Sequence, residues 1–115
     1  SAFADCVSLR SVDIPDGAQL GEGIFSGCTA LETVSLPRNI TAIPARTFSY
    51  CTSLRELILP ESVTEIRQGA FRSCRSLASV EFPAALVSIG DQAFEGCTAL
   101  RTAVILRFLL YLLLS

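Results

Sequence analysis

Five phenylalanines set the rhythm of this chain. Phe3, Phe25, Phe48, Phe71 and Phe94 stand 22, 23, 23 and 23 residues apart. A cysteine follows each by three, at Cys6, Cys28, Cys51, Cys74 and Cys97, and a leucine follows each cysteine by three, at Leu9, Leu31, Leu54, Leu77 and Leu100. Then come Val12, Val34, Leu57, Val80 and Ala103, and two later Ile14, Leu36, Leu59, Phe82 and Ile105. Proline closes the segment at 15, 37, 60 and 83, with Leu106 in that slot of the last copy. All five Cys and four of the five Pro fall in register. A period of this length marks a stack of similar supersecondary units. A 23-residue unit cannot enclose a core alone, whereas stacked units bury each other's apolar side chains.

The unit from Leu54 to Ser76 shows how one copy folds. Leu54-x-x-Leu57-x-Leu59 followed by Pro60 predicts a short strand, stopped by a residue that has no ladder donor. Val63 and Ile66 predict a returning extended or turn segment. Ala70, Phe71 and Cys74, at spacings of three and four, predict an inward-facing helical turn. These eight residues are the expected interior of the unit. Strands of neighbouring units would pair in parallel about 4.8 Å apart, giving a short curved solenoid of four to five rungs. The first unit has 22 residues, with Leu20 in the place of Ile43. Its deletion falls after Pro15, where Asp16-Gly17 signals a turn.

Composition narrows the function. The 115-residue chain is 50% hydrophobic and 17% charged, with 9 basic and 11 acidic residues for a net charge of −2. That fits one modest folded domain and argues against a basic nucleic-acid platform. There is no His, and every basic residue is Arg. The abundant Ser and Cys therefore lack the ordinary base that would activate a nucleophile, so no catalytic residues and no enzyme are expected.

The pattern L-x-x-[VL]-x-[LIF]-P-x-x-[VIL]-x-x-I…A-F-x-x-C-x-x-L resembles the BspA-like class of leucine-rich repeats, over Phe3 to about Ile105. The resemblance implies a repeat solenoid: a leucine-rich-repeat right-handed superhelix with a short parallel β-strand per repeat on the concave side and short helical turns on the other. It implies residues 1–106 as the solenoid, protein or surface-ligand binding without catalysis, and a place in a larger cell-surface adhesin or antigen. The alternative is a structural spacer, a few rungs of a longer scaffold with no ligand of its own. The chain departs from the commoner leucine-rich consensus, which carries Asn or Cys three residues past the last Leu of the strand. Gly17, Asn39, Ser62 and Ala85 occupy that slot here.

The candidate binding residues are the outward neighbours of the central strand position: Ser11, Asp13, Thr33, Ser35, Glu56, Ile58, Ser79 and Glu81, then Thr102 and Val104. They read either as a docking face or as a solvated face of mixed charge. No aromatic anchor is present, and Asp13 and Glu81 lie rungs apart, too far for paired-carboxylate chemistry. The five Cys form one line along the stack and cannot converge on a zinc ion. They read as small buried residues of a structural ladder with the five Phe, and a disulfide between adjacent rungs fits the dihedral poorly. No metal and no cofactor are expected.

Asn39-Ile40-Thr41 is an N-glycosylation sequon in an expected surface turn. Arg67, Arg72 and Arg75 suggest either a small anion patch or a wet surface. The chain starts at Ser1 with no apolar leader, reading as a processed chain or a fragment. Residues 107–115 form a hydrophobic tail with three readings: a cap packed on the last rung, a truncated membrane anchor, or non-native sequence. Membrane contact follows only from the second. The oligomeric state is left open.

Overall fold

The computed structural model describes residues 3–100. The tail and the strand expected in the final repeat, with Thr102, Val104 and Ile105, lie outside the described residues. We number the coils by their phenylalanine, from coil 1 at Phe3 to coil 5 at Phe94. Seven short strands occur among the described residues: β1 (Ser11–Asp13), β2 (Thr33–Ser35), β3 (Ala42–Ile43), β4 (Glu56–Ile58), β5 (Glu65–Ile66), β6 (Ser79–Glu81) and β7 (Ser88–Ile89). Every pairing is parallel and in repeat register. Val12 faces Val34, Leu57 faces Val80, and Ile43, Ile66 and Ile89 line up in turn.

The leading strands form two two-stranded sheets, β1-β2 and β4-β6. β2 and β4 lie side by side without a shared ladder. The returning segment, where the sequence left extended chain and turn as equals, is a second ladder of three strands, β3-β5-β7. Residues alternate across each strand: Leu57 and Val80 are buried between exposed neighbours.

The third side of each coil corrects the expected helical turn. Among the described residues there is no helix; the segment around each Phe is a run of tight turns. Two features prevent helix formation. First, left-handed residues recur in two columns: Gly23, Arg46, Gly69 and Gln92, and Asp5, Gly27, Tyr50, Ser73 and Gly96, with φ between 58° and 78°. A right-handed helix cannot pass through them. Second, alternate N–H groups point in different directions. In coil 3 and the turn that leads into it, Thr47, Ser49 and Cys51 donate back three residues, to the carbonyls of Pro44, Arg46 and Phe48. Arg46, Phe48 and Tyr50 donate instead to Gln68, Ala70 and Arg72 of the next coil. The spacing of three and four therefore reported which residues face inward, but not a helical backbone.

The interior is continuous. Leu54, Leu57, Leu59, Val63, Ile66, Ala70, Phe71 and Cys74 are all at most 3% exposed. The five Phe rings form one stack, with centroid separations of 5.5, 5.6, 5.5 and 5.3 Å and interplanar angles of 15° or less. Phe82 meets Phe94 edge-on at 5.8 Å. Each such ring contact adds about 0.5–1.5 kcal/mol beyond its area.

Two stability outcomes follow. Phe71→Ala removes a ring stacked on both sides and should cost about 3–5 kcal/mol. Phe3→Ala should cost far less, because Phe3 is 47% exposed and has one ring neighbour. Urea denaturation followed by circular dichroism checks this, and equal costs would contradict a one-dimensional stack. A Cβ added at Gly90 would lie 2.6 Å from the Gln68 backbone nitrogen, whereas one at Gly17 meets nothing within 4 Å but sits at φ +86°. Gly90→Ala should therefore cost roughly 2–3 kcal/mol by forcing coils apart, and Gly17→Ala about 1 kcal/mol from backbone strain alone.

Candidate functional site

The strand alternation that turns Val12, Val34, Leu57 and Val80 towards the core turns their neighbours to solvent. Ser11, Asp13, Thr33, Ser35, Glu56, Ile58, Ser79 and Glu81 are all exposed. Register sets them in columns: Ser11 beside Thr33, Asp13 beside Ser35, Glu56 beside Ser79, and Ile58 beside Glu81. The face is thus divided between two sheets rather than carried on one. Ile58, 66% exposed, is its apolar centre. Among the described residues, no ion pair involves Asp13, Glu56 or Glu81. The row beside them is partly neutralised, because Arg55 reaches Glu32 at 3.8 Å across the gap between β2 and β4. Asp13 and Glu81 stand on strands of different sheets.

The cysteines are placed by the carbonyls they serve. Cys28, Cys51, Cys74 and Cys97 each donate their thiol to the Phe carbonyl of the preceding coil, at 3.0, 3.2, 3.1 and 3.0 Å. The same carbonyls accept the backbone N–H of the Cys three residues on, at 3.1–3.2 Å for the four Phe from Phe3 to Phe71. A carbonyl has two lone pairs, and both are used. All five thiols are free. Burial pushes Cys51 up to about 12 and raises Cys28. The hydrogen bond with the Cys97 side chain, with burial added, pushes Cys74 up. Among the described residues, no three His, Cys, Asp or Glu come together to hold a metal ion.

The arginine cluster is largely compensated. Arg67 pairs with Glu65 at 3.1 Å and Arg72 with Glu95 at 3.4 Å. Other pairs tie successive coils on the surface, most closely Arg38 and Asp16 at 2.9 Å. The Arg38 backbone N–H and guanidinium hold the Asp16 carboxyl below its ordinary range.

Asn39 is exposed in the turn between β2 and β3, beside a depression of about 440 Å³ lined by Gly17, Gln19, Leu20, Thr41 and Arg67 among others. Sequence reading missed this depression, although its signals were present. Thr64 and Val87 donate backbone N–H bonds to Thr41 and Thr64 of the preceding coil, and Arg67 and Gly90 donate to Ile43 and Ile66. In coil 2 the counterpart of Arg67 is Pro44, which has no N–H. The second ladder therefore starts at β3, and the shortened coil 1 stands off from it. Pro44 is the one proline outside the repeat register.

A family model described as a BspA type leucine rich repeat region matches residues 1–110, in six copies. No curated protein matches the chain. Among solved structures, a leucine rich cell surface protein from Faecalibacterium prausnitzii is 36% identical with a TM-score of 0.83, over 87% of this chain and 27% of its own. A leucine-rich repeat protein from Bacteroides ovatus is 34% identical with a TM-score of 0.74, over 76% of this chain and 23% of its own. A T. pallidum leucine rich repeat protein is 27% identical with a TM-score of 0.51, over 96% of this chain and 73% of its own. The chain thus spans about a quarter of the length of the first two.

Only the thiolate is nucleophilic, so Cys51 at about 12 and Cys74, both fully buried, should resist maleimide at pH 8 in the native protein. Peptide mapping by mass spectrometry should show both modified only as urea opens the stack. Fast labelling of either in the folded chain would contradict the thiol–carbonyl ladder.

Proposed function

The chain belongs to the BspA type leucine-rich repeat family, and we propose that it is a non-catalytic interaction module of a longer cell-surface protein. Its ligand is a protein or surface structure that docks on the outward columns of β1, β2, β4 and β6. The observation that carries this reading is the exposure of all eight outward side chains on strands held in repeat register, β1 against β2 and β4 against β6. Such side chains lose little freedom on binding, because the ladder has already ordered their backbone. Ser and Thr supply hydroxyls, and Ile58 supplies an apolar contact. The unpaired Asp13, Glu56 and Glu81 favour a basic partner through complementary charge. The surface location rests on family membership and on the Faecalibacterium prausnitzii relative, itself a cell surface protein.

The test uses a random peptide library displayed on phage, selected on the folded chain. Recovered peptides should be rich in Arg or Lys with an apolar residue among them. Their binding should fall about tenfold or more, ~1.4 kcal/mol or beyond, when Glu56→Arg and Ile58→Asp are combined, with the circular dichroism unchanged. Peptides that bind the parent and the double variant alike would favour the spacer reading, in which the coils only set a distance.

A further inference from the structure

The second ladder begins one coil late, and the gap this leaves is lined by a distinctive set of groups. In the later coils each returning segment bonds back. The N–H groups of Thr64 and Val87 reach the Thr41 and Thr64 carbonyls, and those of Arg67 and Gly90 reach Ile43 and Ile66. In coil 2 the matching groups are the Thr41 N–H, which donates to no acceptor among the described residues, and Pro44, which has no N–H. The depression of about 440 Å³ lies in this gap, between residues 17–20 of coil 1 and residues 39–42 of coil 2. Its size falls within the ~300–1,000 Å³ of small-ligand sites.

Arg67 joins the lining from coil 3. Its counterparts Gly21, Pro44 and Gly90 carry no long side chain, and a Cβ at Gly17 or Gly21 would meet nothing within 4 Å. The Arg67 bond to Glu65 uses Nε at 3.1 Å, and no hydrogen bond from its terminal amines occurs among the described residues. Both side chains of that pair are exposed, so solvent weakens it. No Asp or Glu lines the depression, and Asp16 beside it is held by Arg38 at 2.9 Å. The donors are therefore the Arg67 amines, the Thr41 N–H and hydroxyl, and the Gln19 and Asn39 amides. A carboxylate takes two parallel N–H bonds from a guanidinium. One guanidinium, with Glu65 beside it, suits a monoanion better than a phosphate dianion. The amides and the hydroxyl both donate and accept, as sugar hydroxyls require. Leu20, Ile40 and Pro44 add apolar surface for a ring.

We propose that the depression beside β3 is a binding site for a hydroxyl-bearing monocarboxylate, an acidic sugar unit of the uronic acid kind, with Arg67 on its carboxylate and Thr41, Gln19 and Asn39 on its hydroxyls. The Thr41 N–H adds a backbone donor that the later coils do not offer, because Thr64 and Val87 spend theirs on the coil before. The site thus belongs to the junction of coils 1 and 2, where the repeat is one residue short and a proline interrupts the ladder. None of its lining residues belongs to the outward columns, and the proposal does not depend on what those bind.

The test titrates the isotope-labelled chain with sodium glucuronate and with sodium galacturonate, read by amide NMR shifts, with glucose, acetate and inorganic phosphate as comparison probes. At least one uronate should bind saturably at millimolar concentration, shifting Thr41, Ala42 and the side-chain amides of Gln19 and Asn39. It should bind about tenfold or more tightly than glucose, acetate or phosphate. Arg67→Gln should weaken it about tenfold or more, whereas Arg75→Gln, which removes the same charge from an exposed position outside the depression, should leave it unchanged. Where Arg67→Gln disturbs the rest of the amide spectrum, Gln19→Ala carries the test, with several-fold loss of uronate affinity in a folded chain. Absence of saturable shifts around the depression with both uronates overturns the proposal. So does acetate binding as well as the uronates, which leaves a site that reads charge alone. Equal binding of glucose, tighter binding of phosphate, or uronate affinity untouched by Arg67→Gln overturns it too.

Discussion

The phenylalanine residue at the head of each coil is the joint on which the rest depends. Its ring stacks on the rings above and below. From coils 2 to 4 its N–H reaches the next coil, as Phe48 reaches Ala70. Its carbonyl takes the N–H of its own Cys and the thiol of the following one. Three attachments at one residue tie neighbouring coils at a fixed height, and the strands on either side inherit that height. The distance of three between Phe and Cys is the reach of one turn back to that carbonyl, which is why the two residue types travel together.

The turn side shows what happens when backbone groups are claimed by neighbours. A helix requires every N–H to bond within its own segment. Here half of them bond to the next coil, and left-handed residues four apart make that possible. Coil 1 and β3 show the reverse case. Pro44 removes one donor, the coil is one residue shorter, and the second ladder stops there. Exposed ladder edges invite unwanted pairing, and a proline at the edge blunts them.

The outward face of the leading strands follows from the same order. Inward side chains are fixed by the stack, so outward ones on the leading strands are free to vary without cost to the core. In this chain they give an acidic, hydroxyl-rich surface with one exposed isoleucine, and the break between β2 and β4 falls through its middle. Neighbouring rows of charge are mostly neutralised between coils, whereas Asp13, Glu56 and Glu81 make no ion pair among the described residues.

The sequence alone determined the period, the inward set and the outward set. An apolar position that recurs every 23 residues can satisfy its burial only by meeting its own counterparts, and that constraint is local to each repeat. The leading strands were legible because Leu57 and Leu59 alternate and Pro60 ends them. Only the tertiary structure decided the backbone that carries Phe and Cys, the second ladder, the split of the first sheet and the depression beside Asn39. Each of these depends on which N–H meets which carbonyl in a different coil. Side-chain spacing records which way a residue faces, whereas the choice of hydrogen-bond partner is made only when the coils come together.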